Sequence, residues 1–333
     1  GGNTSVKVTR KNIFGKDEEI LHVKGSGWNL DTIEAPGLPG VRLSPLREFR
    51  KLKKMTDEDM VNIQRNNLID SGSPNPSVET LLHAFLPHKF VDHTHSTPFL
   101  ILANLPDAKK ICYKIFGDSL AIVPYIMPGF KLAKKAVEIY EKNPSVKGML
   151  LLNHGHFTFG KTAEESYRRV IEQTNKVAAF FSLKKELELG KRHPTKNLYM
   201  IPKIRGLIAD ISLGKNDPMP IIDLRNSKQV LNLLNDKNLS KLENRGMASP
   251  DHVIRTKGTP LHIKNIADYR HEQVLKKHIE GFSSRYIKYF NRQSKRADEK
   301  KSILTADPKH GWLRSIGVIA VSYTHLTLPT SSQ

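Results

Sequence analysis

The chain has 333 residues, 38% hydrophobic and 26% charged, with 53 Lys and Arg against 33 Asp and Glu and a formal net charge of +20. This is a globular composition, long enough for one large domain or two ordinary ones, and it excludes disordered and membrane-embedded classes because no apolar run approaches the roughly 18 residues of a membrane span. Excess positive charge favours phosphate backbones through counterion release, yet the Lys and Arg are scattered through "KVTRKN", "KLKKM", "LKKELELGKRHPTK" and "NRQSKRADEKK". Without aromatic-basic alternation or zinc-finger spacing the charge reads as solvated surface, so neither a nucleic-acid nor a membrane partner is expected.

In chain order, "TSVKVT" and "EEILHVKG" read as strands joined by a hairpin connection at "NIFGKD", where Gly15 turns the chain. "TDEDMVNIQRNNLI" opens with Thr56 and three acids, the composition of a helix N-terminus. "PSVETLLHAFLP" starts at Pro76 and Ser77 and places Val78, Leu81, Leu82 and Phe85 on one predicted core stripe. Its other face carries Glu79 and His83, four residues apart and so one turn above each other. The strand of "FVDHTHSTPF" follows, then a helix in "PDAKKICYKIFG", a strand in "SLAIVPYI" and a helix in "KLAKKAVEIYEK" with Leu132, Ala136, Ile139 and Tyr140 inward. "VKGMLLLNHGHFTFG" is a strand, an Asn-His-Gly corner and a second strand. Thr162 and Glu165 then form a capping box for a helix with Tyr167, Val170, Ile171, Thr174, Val177 and Phe181 in register.

From about residue 186 the chain turns Lys- and Asn-rich, with a short strand in "PIIDLR", a turn around His252 in "PDHVIRTKGTP", and a helix near "IADYRHEQVLKKHIEGFSSRYIKYF". "GWLRSIGVIAV" echoes the "GMLLLNHGHFTFG" segment without its histidines. The opening "GGNTSVK" lacks an initiator methionine, and "SYTHLTLPTSSQ" breaks the preceding pattern, as foreign sequence would. The expected organisation is a catalytic core over 1–185, an extension over 186–321 and a foreign tail over 322–333, together a fragment. Cys112 has no internal partner, which fits an inert buried thiol and a reducing cytoplasm.

The chemistry-bearing residues are histidines. In a strand, alternate side chains share a face, so His93 and His95 can reach one ion while Asp92 and Thr94 point away. Alone, such a pair is as ordinary as any polar strand face; catalytic zinc needs three protein ligands and an open fourth position. The "NHGHF" corner offers His154 or His156 as the third, and Glu79 is a carboxylate able to complete the shell or act as base. His83 suits packing or support of a ligand, and His156 a structural place.

"GNTSVK", "VKGSGWNL", "PSVETLLHAFLP", "DHTHS" and "LLNHGHFTFG", in this order, resemble the class II aldolase/adducin family, most nearly the aldolase half of bifunctional rhamnulose-1-phosphate aldolase/short-chain dehydrogenase proteins. The resemblance implies an α/β fold of three layers, αβα, around a mainly antiparallel central sheet. It implies one zinc ion on His93, His95 and His154, with Glu79 as the catalytic acid/base. It places the substrate phosphate against Asn3, Ser26, Gly27 and Ser77, while Val78 stands where some relatives carry a second phosphate-binding serine. The activity implied is cleavage of a ketose 1-phosphate to dihydroxyacetone phosphate and an aldehyde by a cytoplasmic homotetramer, with a neighbour's tyrosine as proton donor. A pentulose-phosphate 4-epimerase and a non-enzymatic adducin-like module are the alternatives. No glycine-rich dinucleotide fingerprint occurs, so no nicotinamide cofactor is expected.

Overall fold

The computed structural model describes residues 2–182, 198–212, 219–297 and 301–322. These fall into two compact units, the first holding residues 2–182 with Ala248–Pro250 and the second the remainder. The expected boundary at 185 and the tail beyond Ser322 lie outside the described residues.

In the first unit, the alternating stretch from Asn3 forms β1 (Gly2–Lys11), and the chain returns as β2 (Asp17–Val23). Gly15, at φ 74°, sits in the connection, where the Asn12 side-chain oxygen accepts from the backbone N–H groups of Phe14 and Lys16. With β3 (Gly40–Arg42), β4 (Phe90–Thr94), β5 (Ala121–Val123), β6 (Gly148–Leu151) and β7 (Gly155–Gly160) they form a seven-stranded sheet ordered β3-β2-β1-β4-β7-β6-β5. Every pairing is antiparallel except β5 with β6.

Both faces of this sheet are buried. Met149 and Leu151 of β6 join a core with Leu81, Leu82 and Phe85 and with Leu132, Ala136 and Tyr140 of helix Phe130–Lys142. Leu150, between them, faces the other way, into a cluster with Phe99, Leu102, Cys112 and Val177. The period-two alternation of a strand thus separates two apolar layers, each covered by helices, and accounts for the mixed α/β class. Cys112 is fully buried, and burial pushes its thiol up to about 12, so it is inert as the sequence suggested.

Several elements differ from expectation. The helix in "PSVETLLHAFLP" is only Thr80–Phe85, all six residues are buried, and Val78 is 40% exposed rather than core. A helix wrapped on all sides has no polar face, so its periodicity carries no signal. Helix Thr97–Ala103, absent from the sequence reading, follows β4 almost directly. In helix Ala163–Phe180, Val170 and Val177 are buried, but Tyr167 and Ile171 face outward.

The second unit has a sheet of its own, with β8 (Ile221–Arg225), β9 (Leu261–Ile263), β10 (His310–Leu313) and β11 (Gly317–Ser322) ordered β8-β11-β10-β9. Its core unites these strands with helices Met200–Ser212 and Glu272–Ser294 through Ile204, Ile208, Leu275, Ile279 and Phe282. The segment around His252, read as a turn, is helix Pro250–Thr256. Within the described residues no helix is long and apolar enough to cross a membrane.

Candidate metal and substrate site

His93 lies on β4 with its side chain fully buried, and His95 sits one residue beyond the strand's end. The tight corner between β6 and β7, with Asn153 at φ 54°, delivers His154 to the same point. The ring centroids of His93 lie 4.6 Å from His95 and 5.0 Å from His154, and those of His95 and His154 are 5.3 Å apart. One nitrogen from each ring lies within 4.8 Å of the other two. Gly155 makes this convergence possible, because a Cβ there would stand 2.6 Å from His95 Cδ2, 2.7 Å from the Thr94 carbonyl oxygen and 3.0 Å from His93 Cε1.

Glu79 closes the cluster. It stands just before helix Thr80–Phe85, is 6% exposed, and places Oε2 3.3 Å from His93 Nε2 and Oε1 3.1 Å from His154 Nε2. Burial raises the Glu79 pKa, the rings of His93, His154 and His95 beside it lower it, and the net direction is well below the usual carboxylate range.

The protons on His93 can be placed. Its Nδ1–H donates to the His156 backbone oxygen at 3.0 Å, because a carbonyl only accepts. Its Nε2 therefore carries a bare lone pair, and burial pushes the imidazole pKa well down, so the ring is neutral. The lone pair has no hydrogen-bond partner and faces a carboxylate oxygen. A divalent cation between the two would be held by both lone pairs. The donor set, three imidazoles beside one carboxylate, suits zinc. The residues thus fit a metal on this structure's own geometry.

The cluster is held from behind. Phe157 stacks on His93 at 4.1 Å. The His156 ring points away from the cluster, because His154 lies in the corner before β7 while His156 is on the strand, and it lies on Phe99 at 3.7 Å and is bonded to Gln173 Oε1 at 2.6 Å. Its main-chain oxygen, which no side-chain pattern reveals, is what orients His93.

Residues 1–179, more than half of the chain, match the Class II Aldolase and Adducin N-terminal domain. The chain belongs to the class II aldolase and adducin family. Residues 195–328 match a further domain of class II aldolases described as the second domain. The Bacillus subtilis (strain 168) protein named Uncharacterized oxidoreductase YuxG is 33% identical over 334 residues, covering 96% of this chain and 47% of that protein. The chain therefore spans about half the length of the curated relative it matches. The N-terminal class II aldolase domain of a conserved protein from Thermoplasma acidophilum is 41% identical, with a TM-score of 0.51, over 54% of this chain and 84% of that one.

Of the positions that resemble the family's phosphate contacts, Ser26 and Gly27 lie in an exposed loop. The Gly25–Pro76 bridge and the Ser77 N–H bond to the Lys24 carbonyl hold that loop beside Ser77. The Ser26 backbone N–H is already engaged with the Asn75 oxygen at 2.8 Å. Asn3 is buried on β1 and its Nδ2 donates to Ser77 Oγ at 2.9 Å and to Glu79 Oε2 at 2.8 Å. Sequence reasoning missed this link between Ser77 and the histidine cluster. The signal was there in part, since Asn3, Ser5 and Lys7 form a polar face on the first strand, and that face is the buried one. His252 belongs to the second unit, where its carbonyl accepts from the Thr256 hydroxyl at 2.7 Å.

Proposed function

We propose that this chain carries a zinc-dependent class II aldolase site, cleaving a ketose 1-phosphate such as rhamnulose 1-phosphate to dihydroxyacetone phosphate and lactaldehyde. The observation that supports it most is the buried Glu79 carboxyl group, 3.3 Å from His93 Nε2 and 3.1 Å from His154 Nε2, beside the converging rings of His93, His95 and His154. A zinc ion held by His93, His95 and His154 would supply Lewis-acid stabilisation of negative charge at the substrate carbonyl oxygen.

The chain's own groups do the rest. In the condensation direction Glu79, ionised, takes a proton from the carbon beside the ketone of dihydroxyacetone phosphate, and that carbon then bonds to the aldehyde carbon. In cleavage the C4 hydroxyl proton passes, by way of the neighbouring subunit's tyrosine, to the ionised Glu79; the C3–C4 bond breaks to leave the aldehyde carbonyl at C4 and the electron pair on C3, and Glu79 delivers that proton to C3. The Ser77 and Ser26 hydroxyls and the Gly27 N–H are the donors offered to the phosphate, while the Asn3 amide, whose two N–H groups go to Ser77 Oγ and Glu79 Oε2, acts there through Ser77. Val78 offers no hydroxyl there. A homotetramer, with a tyrosine from a neighbouring subunit as proton donor, belongs to the same proposal. We attribute no nicotinamide chemistry to these 333 residues, which contain no glycine-rich dinucleotide fingerprint.

An epimerase would break and remake the same bond without releasing product, and an adducin-like module would have no use for a carboxylate facing three imidazoles. The test is rhamnulose 1-phosphate cleavage, followed by release of dihydroxyacetone phosphate, with and without chelator, for wild type and Glu79→Gln. We expect release that chelation abolishes and zinc restores, and that Glu79→Gln lowers by a factor of about 10² to 10⁴. Inversion of a pentulose phosphate without free dihydroxyacetone phosphate would favour the epimerase, and full activity in metal-free protein would overturn the proposal.

A further inference from the structure

Four buried polar groups beside the cluster form one continuous chain whose proton positions are fixed. Asn3 Nδ2 donates one N–H to Glu79 Oε2 at 2.8 Å and the other to Ser77 Oγ at 2.9 Å. Asn3 Oδ1 then faces His83 Nε2 at 2.5 Å, and a carbonyl oxygen requires that nitrogen to carry the proton. His83 is fully buried against Phe157, and its two ring nitrogens are bonded to Asn3 and Ser5. A neutral ring protonated at Nε2 leaves Nδ1 bare, so Nδ1 accepts from the Ser5 hydroxyl at 2.7 Å. Every donor therefore points along the series Ser5, His83, Asn3, Glu79.

Reversing the amide would set Asn3 Oδ1 against the Glu79 carboxyl oxygen and would require the His83 proton to move from Nε2 to Nδ1. We propose that His83 is a positioning residue for Glu79: its Nε2–H locks the Asn3 amide in the one orientation that aims both N–H groups at the Glu79 carboxylate and the Ser77 hydroxyl. The inference rests on the reading of Glu79 as the reactive carboxylate beside the ion. Without the lock the amide turns, and the carboxylate loses the donor that aims it at the imidazoles. A packing histidine would need only its shape; a positioning one needs its N–H.

The test compares His83→Gln, whose side-chain amide can still donate to Asn3, with His83→Leu, which fills the space without a donor. Zinc affinity of the full chain is measured by competition with a chromophoric chelator, alongside Glu79→Gln. We expect zinc to bind roughly tenfold more weakly to His83→Leu and within about threefold of wild type to His83→Gln. Equal loss in both variants, or no loss in His83→Leu, overturns the positioning role. Should Glu79→Gln leave zinc affinity unchanged, the reading of Glu79 falls and this inference with it; should only Glu79→Gln weaken zinc, the positioning role falls alone. If His83→Leu does not fold, nitrogen-15 spectra of histidine-labelled wild type decide: a His83 ring protonated at Nε2 and bare at Nδ1 supports the chain of bonds, and the opposite tautomer overturns it.

Discussion

Replacing Gly155 by alanine adds a single methyl group at the point where the three imidazoles meet. The added carbon would stand 2.7 Å from the Thr94 carbonyl oxygen and 2.6 Å from His95 Cδ2, where ordinary contact needs about 3.4 Å or more. The imidazole can swing, but the Thr94 oxygen belongs to the β4 backbone, so β4 and β7 must separate by several tenths of an ångström. Overpacking of this kind costs about 1–3 kcal/mol, a drop of roughly 2–10 °C in melting temperature for a unit of this size. The effect on metal binding should be larger, because His95 can give way only by leaving the cluster. Differential scanning fluorimetry and zinc competition titration, run on the same samples, separate the two effects. We expect a modest loss of stability in metal-free protein and a loss of zinc affinity of tenfold or more, as for other disturbed ligand supports. Wild-type zinc affinity in Gly155→Ala would refute the convergence argument.

Chelation should lower the melting temperature of the first unit, since an ion at a hundred times its dissociation constant stabilises by about 2.7 kcal/mol, and a chelator-insensitive melt would mean that no ion is bound in the folded state. Acid should destabilise the metal-free protein well before its carboxylates titrate. Burial holds His83 down to about 3 and His156 down to about 4 in the native state, whereas both take up protons near 6.5 when unfolded. Between these limits the unfolded chain binds more protons, so stability falls as pH falls, by up to about 1.4 kcal/mol per pH unit for each ring. Urea midpoints should therefore be level from pH 7.5 to 8.5 and decline from 6.5 to 4.5, and a midpoint unchanged to pH 5 would show these rings to be protonated in the fold. Phe157→Leu removes the ring stacked on His93 while keeping an apolar side chain, and should weaken zinc a few-fold with the melting temperature little changed; an unaltered zinc affinity would show the stacking to be inconsequential.

Much of the site was legible because its signals are local. His93 and His95 are two apart, Glu79 stands at a helix start, and the Asn-His-Gly corner announces a tight reversal, so residue type and spacing suffice to nominate them. How they meet was not legible: His95 lies beyond the strand that nominally aligned it with His93, and the cluster closes through the missing Cβ of Gly155. The Asn3 amide and the His156 carbonyl act on residues 76 and 63 positions away in the chain, distances that no periodicity encodes. Among the elements, β1, β2 and the capped helices at Thr56 and Thr162 follow from alternation and capping, and both caps are made, to the Asp59 and Glu165 N–H groups. The sequence reading passed over Ser96 and Pro98, which start helix Thr97–Ala103, because the apolar run after them continues that of the strand. Ser249, Pro250 and Asp251 likewise open a helix that was taken for a turn. The parallel pairing of β9 with β10 joins segments about fifty residues apart, and nothing local to either specifies it.

The most direct measurement is the metal content of the purified chain combined with anomalous diffraction at the zinc edge. The account predicts one zinc ion per chain bound by nitrogens of His93, His95 and His154, with occupancy lost in His93→Ala. Protein that stays metal-free in excess zinc, or an ion bound away from these three rings, would contradict it.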